Sequence, residues 1–438
     1  MDTGVSAPLP AVLEAAPAAR TAQNFWLALY IAVVVGQFSQ WVPGLANIPL
    51  AKIAILITAL LAWRARATLQ PVRLRSLKIA RPALGFMALA ILSLAFSTYL
   101  SLGLAIVYVV VVLLFSFVLI VKITQTLTDV RRLLIALCVA AAGLTLAVLF
   151  TYGGGRARIN DNFDSNDLAY GMVTVLPIIR ALLVTGKKGR LILQGLTVAV
   201  IIAIVLTGSR GGEIGLGVVL LLLIAFPIGF DKTGQLKRFR LGRFIAMLGL
   251  IVALGAAVWG YLPDEARDRM ASLTDLGNDY NAGDSTASRS AIWLRNSAAV
   301  LSRPIGYGLG TSEYVDGLTG GAYRAIHNSF VESFVELGVL GLVLFCASYW
   351  VTVRQLGQVS SLGRGTAPSG DTAKACIYAR ALRIALAGNA VSGFFLSQAY
   401  SELLWTVIAI SAALVRISLA APEVAATPQA RTQEADFT

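Results

Sequence analysis

One turn of the sequence combines the features of an anion-binding site. Residues 207–213 include three glycines and join two apolar runs with almost no loop between them. Backbone amides at the start of a helix attract anions, and the guanidinium of Arg210 can form paired hydrogen bonds with phosphate oxygens. With Ser209 beside it, Arg210 is a candidate phosphate-binding residue. The alternative is an interfacial arginine that extends its side chain toward lipid headgroups.

A second candidate lies where a polar segment meets a later apolar run. His327 is the only histidine, and Asn328 follows it directly. An imidazole can accept a proton from a sugar hydroxyl or donate one to a phosphate leaving group. Glu336, further along the same run, is a candidate substrate-binding residue or a partner for a polar group inside the protein. Taken alone, a single histidine is more often structural than catalytic.

Arg289 and Trp293 are spaced to share one face of a predicted helix over residues 288–301. Ser288 could cap this helix, and Pro304 ends it. The pair is a candidate for substrate contact. The alternative is an amphipathic helix that lies on the membrane surface.

Arg156 and Arg158 form a further cationic position, followed by a polar segment at residues 160–167. Both arginines are candidate substrate-binding residues. The alternative is an ordinary polar loop with a helix cap at Asn166 or Asp167.

The elements that position these residues are predicted to be membrane helices. The 438-residue chain is 57% hydrophobic and only 13% charged, whereas soluble proteins carry about a quarter of their residues as charged side chains. Since about 20 apolar residues cross a bilayer, the chain is predicted to be an all-α polytopic membrane protein with about twelve transmembrane helices. The apolar runs fall near residues 24–42, 46–63, 82–98, 101–121, 133–151, 168–185, 191–207, 214–230, 244–261, 331–352, 381–397 and 401–418.

This pattern predicts five parts of the chain. Residues 24–261 hold spans 1–9, residues 262–330 form one large periplasmic loop, and residues 331–418 hold spans 10–12. Residues 1–23 and 419–438 are predicted to be disordered cytoplasmic ends.

Charge sets the predicted orientation. The net charge is +13, which in a soluble protein would suggest nucleic acid. Here the lysines and arginines are concentrated in the loops that follow even-numbered spans, and such loops are cytoplasmic. We therefore expect no nucleic-acid partner, both termini in the cytoplasm, and the candidate residues on the opposite face, where arginine is unexpected.

The sequence shows no motif for metal binding or for nucleotide binding. The three cysteines are far apart without metal-binding spacing, and no glycine-rich loop followed by lysine is present for a nucleotide. We expect neither a metal nor a cofactor.

The motifs together resemble those of the O-antigen ligase and Wzy-type polymerase superfamily, which includes bacterial O-linked oligosaccharyltransferases. The resemblance covers residues 150–345 or so, through Ser209-Arg210-Gly211, the Arg289/Trp293 helix, the glycine run 304–310, and His327-Asn328 with Glu336-x-Gly338.

This resemblance implies a glycosyltransferase in the bacterial inner membrane, with a periplasmic active site and neither nucleotide nor metal. It would move a glycan from a polyprenyl-pyrophosphate carrier to a hydroxyl of a glycan or lipid A-core acceptor. His327 would be the essential histidine, and Arg210 and Arg289, with Arg156 or Arg158, would hold the pyrophosphate. O-antigen ligase is slightly favoured over a polymerase of O-antigen or exopolysaccharide.

Two functions from other classes are also considered. A twelve-span transporter or flippase predicts charged residues near the bilayer midplane and repeat symmetry, whereas the polar residues here fall at one interface. A membrane scaffold gives no reason to gather arginines against the positive-inside rule.

Overall fold

The computed structural model describes residues 17–66, 69–153, 157, 159, 163–186, 189–231, 236–237, 241–242, 244–246, 249, 253, 256, 267, 289–363 and 370–419. The labelled helices are α1 (Pro17–Gly36), α2 (Phe38–Trp41), α3 (Leu50–Arg64), α4 (Ala80–Leu92), α5 (Leu100–Ile123), α6 (Leu127–Thr151), α7 (Ser165–Thr185), α8 (Arg190–Leu206), α9 (Arg210–Ala225), α10 (Arg289–Ser302), α11 (Ser312–Leu318), α12 (Ser329–Ser361), α13 (Gly370–Gly393) and α14 (Glu402–Leu419). Short 3₁₀ turns lie at Leu74–Ser76 and Ser93–Phe96.

The predicted all-α class is confirmed for this part of the chain, which has no strand; its β pairing is limited to isolated bridges, such as the one between Phe230 and Leu236. Among the described residues, five helices are long and apolar enough to cross a membrane, namely α5, α6, α7, α12 and α14. Three shorter apolar helices lie at Thr21–Gly36, Ala80–Phe96 and Arg190–Leu206. The chain is thus a multi-pass membrane protein, and the number twelve stays a prediction. The predicted ninth span, 244–261, lies largely outside the described residues.

Helix α7 lies at the centre of the bundle, with 83% of its apolar window buried, and packs against α6, α8, α9 and α13. A buried polar link joins it to its neighbours. The side-chain amide of Asn389 on α13 donates to Thr174 Oγ1 on α7 at 3.0 Å, and its oxygen accepts from Tyr349 Oη on α12 at 2.6 Å. Buried amides need such partners, which explains how Asn389 is accommodated inside an apolar run.

Residues 289–328 of the predicted large loop are folded onto the start of α12. Helices α10 and α11 and the start of α12 share a small apolar core of Ile292, Val300, Val315, Ile326 and Val335. Beside it, Arg295 forms a salt bridge with the fully buried Asp316. The predicted helix over 288–301 is therefore present, and it ends at Ser302, just before Pro304.

Helix α12 is interrupted at Gly338, whose φ of 68° and ψ of −164° are not helical. The preceding glycine run packs into this break. Val339 N donates to Pro304 O at 3.0 Å, and Gly308 N donates to Glu336 O at 2.8 Å. The main-chain groups freed by the interruption thus regain partners from the docked segment.

Two local expectations differ from the structure. Helix α1 begins at Pro17, inside the segment predicted to be disordered, because proline is tolerated in the first helical turn and alanines follow it. The cap of α7 is Asp164 rather than Asn166 or Asp167. The side chain of Asp164 accepts hydrogen bonds from the backbone amides of Asn166 and Asp167, and the side chain of Asp167 accepts one from the backbone amide of Asp164. This reciprocal capping box starts the helix earlier than predicted.

Candidate functional site

The starts of α7, α9 and α12 meet at one end of the bundle, together with the 394–401 loop between α13 and α14. Ser209 Oγ donates to Asn166 Oδ1 at 2.8 Å, which joins the starts of α9 and α7. Gln398 Nε2 donates to Asp167 Oδ1 at 2.7 Å, which joins the loop to α7. Ser329 Oγ donates to Leu396 O at 2.6 Å, which joins α12 to the loop.

Arg210 is the first residue of α9 and is half-buried. Ser209 is fully buried and caps this helix, since its Oγ accepts from the Gly212 amide at 3.1 Å. Gly211 allows close packing, because a Cβ added there would lie 2.7 Å from Phe395 Cβ in the 394–401 loop. The turn therefore fixes Arg210 at a helix N-terminus, where the helix dipole also favours an anion.

His327 has the left-handed backbone conformation, with φ of 50°, and is half-buried. Its amide donates to Ser397 Oγ at 3.0 Å. A left-handed conformation at a residue other than glycine costs about 1–3 kcal/mol and persists where neighbours hold it in place. The backbone at the only histidine is thus held by the 394–401 loop.

Asn328 is almost fully buried, and its Oδ1 accepts from the amides of Phe330 and Val331 at the start of α12. This side chain, predicted to bind substrate, has a capping role in the structure that fixes the direction of the helix directly after His327.

Arg289 is the first residue of α10 and is half-buried. One turn on, Trp293 Nε1 donates to Ile326 O at 2.7 Å, and its ring meets Phe394 edge-on with centroids 5.1 Å apart. Helix α10 is therefore packed against the residue before His327 and against the 394–401 loop, rather than resting by itself on a membrane surface.

Glu336 is almost fully buried and faces inward. One carboxylate oxygen accepts from Tyr400 Oη at 2.9 Å, and the other from the Ser312 amide at 3.3 Å. Of the two roles considered for Glu336, these contacts match a partner for polar groups inside the protein. Nearby, burial raises the pKa of the Glu313 carboxyl on α11.

The 394–401 loop was not among the residues predicted to form the site. Phe394, Phe395 and Ser397 contact the elements that carry Trp293, Arg210 and His327, respectively. The available signal was a polar run at residues 397–402 between two apolar runs, on the face predicted to hold the other candidates.

Arg156 and Arg158 lie outside the described residues, so their predicted role stays a prediction. Between them, Ala157 is fully buried, and Ile159 N donates to Phe163 O at 3.2 Å just before α7. Among the described residues, no three or more His, Cys, Asp or Glu side chains group in a way that could hold a metal ion.

Comparison with known families adds one match. Residues 195–346 match the Wzy_C family, described as O-antigen ligase. The matched region contains Ser209, Arg210, Arg289, the glycine run and His327. No curated protein matches the chain. The resemblance drawn from these motifs is confirmed over residues 195–346, the region that matches the O-antigen ligase family.

Proposed function

We propose that the protein transfers a glycan from a polyprenyl-pyrophosphate carrier to a sugar hydroxyl at the periplasmic face of the bacterial inner membrane. The observation that carries this proposal is the convergence on one loop. The helix starts bearing Arg210 and Arg289 and the backbone of His327 are all supported by residues 394–397. Two helix starts that carry arginines and one histidine, all held by the same loop, suit a reaction whose leaving group is a pyrophosphate.

In the proposed reaction the acceptor oxygen bonds to the anomeric carbon of the donor glycan. The bond from that carbon to the pyrophosphate oxygen breaks, and its electron pair leaves with the carrier pyrophosphate. His327 takes the proton of the acceptor hydroxyl. Arg210 and Arg289, with Arg156 or Arg158, stabilise the negative charge that develops on the leaving group.

The test compares variants of His327 and Arg210 in cells that lack the native chain. His327→Asn removes the imidazole yet keeps a residue type that tolerates the left-handed backbone. Arg210→Ala removes the guanidinium and leaves the Ser209 cap in place. Surface glycan and lipid-linked donor are measured at matched protein levels. We expect donor to accumulate in both variants. Arg210→Ala should lower transfer by about 10²–10³-fold, as for loss of one charge-stabilising group, and His327→Asn by about 10²–10⁴-fold, as for loss of a general base.

Arg190→Ala is the matched control. Arg190 is the first residue of α8, as Arg210 is of α9, and the tight turn between these helices puts Arg190 at the other end of the bundle. It should transfer like the wild type. Wild-type surface glycan in both His327→Asn and Arg210→Ala would show that the catalytic assignment is wrong.

Within this class we favour O-antigen ligase over a polymerase. The length of the accumulated glycan separates them. Loss of a ligase leaves long chains on the carrier, whereas loss of a polymerase leaves single repeats.

A further inference from the structure

A pocket of about 390 Å³ opens beside the candidate site. Its walls are the end of α1 with the turn that follows, the start of α7, and residues 398–403. The chain bends at Gln37, which has the left-handed conformation between α1 and α2. This volume falls within the range of about 300–1,000 Å³ that is typical of small-molecule sites.

The polar side chains of the pocket are acidic, amide or hydroxyl groups, and its described lining has no lysine or arginine. The principal ones are Gln37, Ser39, Gln40, Asp167, Gln398 and Glu402. Carboxylates accept hydrogen bonds from hydroxyls, and side-chain amides both accept and donate them, whereas carboxylates repel phosphate. This lining therefore suits a polyhydroxyl compound without negative charge.

Glu402 gives the pocket an acceptor that the protein itself does not use. It is the first residue of α14 and lines the pocket. Its carboxylate accepts no hydrogen bond from any residue that the structure describes. A carboxylate held at such a position without a partner costs free energy, and a ligand hydroxyl would offset that cost.

The pocket shares a wall with the candidate site. Gln398 lines the pocket and donates to Asp167, another lining residue. The preceding residue, Ser397, accepts from the His327 amide. The 394–401 loop thus contacts the pocket through Gln398 and the backbone of His327 through Ser397.

We propose that this pocket is a sugar subsite, which binds an uncharged or amino-substituted pyranose ring through its hydroxyls, with Glu402 as the principal acceptor. The inference rests on the proposed glycosyl transfer. It assigns the charged and the uncharged parts of the substrates to different binding residues. The arginines bind the pyrophosphate, and the acidic pocket binds a sugar next to the reacting centre. That sugar belongs either to the donor glycan or to the acceptor.

The test uses the full-length protein in nanodiscs. Saturation-transfer NMR measures the binding of methyl hexosides and methyl N-acetylhexosaminides. The binding of inorganic pyrophosphate is measured in parallel from its phosphorus NMR signal. Glu402→Gln keeps the shape of the side chain and removes its charge. Gln40→Leu alters an exposed lining residue and should not affect folding. Arg190→Ala is the control.

We expect the wild type and Arg190→Ala to bind at least one glycoside. Glu402→Gln should bind it about tenfold more weakly, because a hydrogen bond to a charged acceptor is stronger than one to a neutral acceptor. Gln40→Leu should also weaken glycoside binding, and pyrophosphate binding should be unchanged in both variants. Arg210→Ala should bind pyrophosphate more weakly and the glycoside as the wild type does. Wild-type glycoside binding in both pocket variants, or no glycoside binding by the wild type, would overturn the assignment.

Kinetic arms identify the source of the sugar. Glu402→Gln raises the KM of the lipid-linked donor if the pocket holds donor sugar, and the KM of the acceptor if it holds acceptor sugar; an unchanged KM for both overturns the proposal. Failure of the transfer function is a separate result. It is seen when His327→Asn and Arg210→Ala retain transfer, whatever the glycosides do.

Discussion

Replacing Gly338 by alanine should destabilise the protein strongly, because the interruption of α12 requires glycine for two independent reasons. Its φ of 68° and ψ of −164° lie in a region that essentially only glycine adopts, at a cost of about 1–3 kcal/mol for another residue. A Cβ there would also collide with the carbonyl oxygen of Pro304. Overpacking of this kind costs a further 1–3 kcal/mol or so, so we expect a loss of about 2–6 kcal/mol.

The assay is thermal unfolding of the purified protein, in which size-exclusion chromatography measures the fraction that stays folded after heating to each temperature. At about 2 °C per kcal/mol for a chain of this size, Gly338→Ala should lower the apparent melting temperature by about 4–12 °C. Gly217→Ala is the matched control, because Gly217 lies inside α9 with nothing within 4 Å of an added Cβ. It should melt at or slightly above the wild-type temperature. Equal melting of Gly338→Ala and the wild type would refute the docking of the 304–310 segment at this break.

Two further predictions concern the segment that carries α10. Asp316→Ala removes the buried partner of Arg295 and should destabilise the 289–328 segment by about 3 kcal/mol; limited proteolysis should cut this segment faster, and an unchanged cutting rate would contradict the prediction. Trp293→Phe keeps the ring against Phe394 but loses the hydrogen bond to Ile326 O. It should cost about 1–3 kcal/mol of stability and also lower glycan transfer several-fold when transfer is normalised to folded protein; unchanged transfer per folded protein would indicate a packing role alone.

The sequence predicted the helices because their signal is local. Apolar runs long enough to span a bilayer became α5, α6 and α7, with bounds that differ by several residues at most from those expected. The family motifs were also local, and the match over residues 195–346 confirms the resemblance that they indicated.

The features that the sequence did not predict depend on contacts between distant segments. The break at Gly338 exists because residues 304–308 supply its hydrogen bonds. The importance of Ser397 follows from its contact with His327, 70 residues away. Glu336 could be assigned an inward-facing position only once Tyr400 and Ser312 were seen beside it.

The 394–401 loop also has a consequence for biosynthesis. It bonds to Asp167 across 231 residues of sequence and to the start of α12 across 67. Chains emerge from the ribosome N-terminus first. The partners of this loop are therefore translated before the loop, and they lack these hydrogen bonds until the loop has been made. The end of the bundle that holds Arg210 and His327 can therefore be completed only after α13 and this loop have been made. On the proposed function, nascent chains in the translocon would therefore be inactive toward lipid-linked glycans until translation is almost finished.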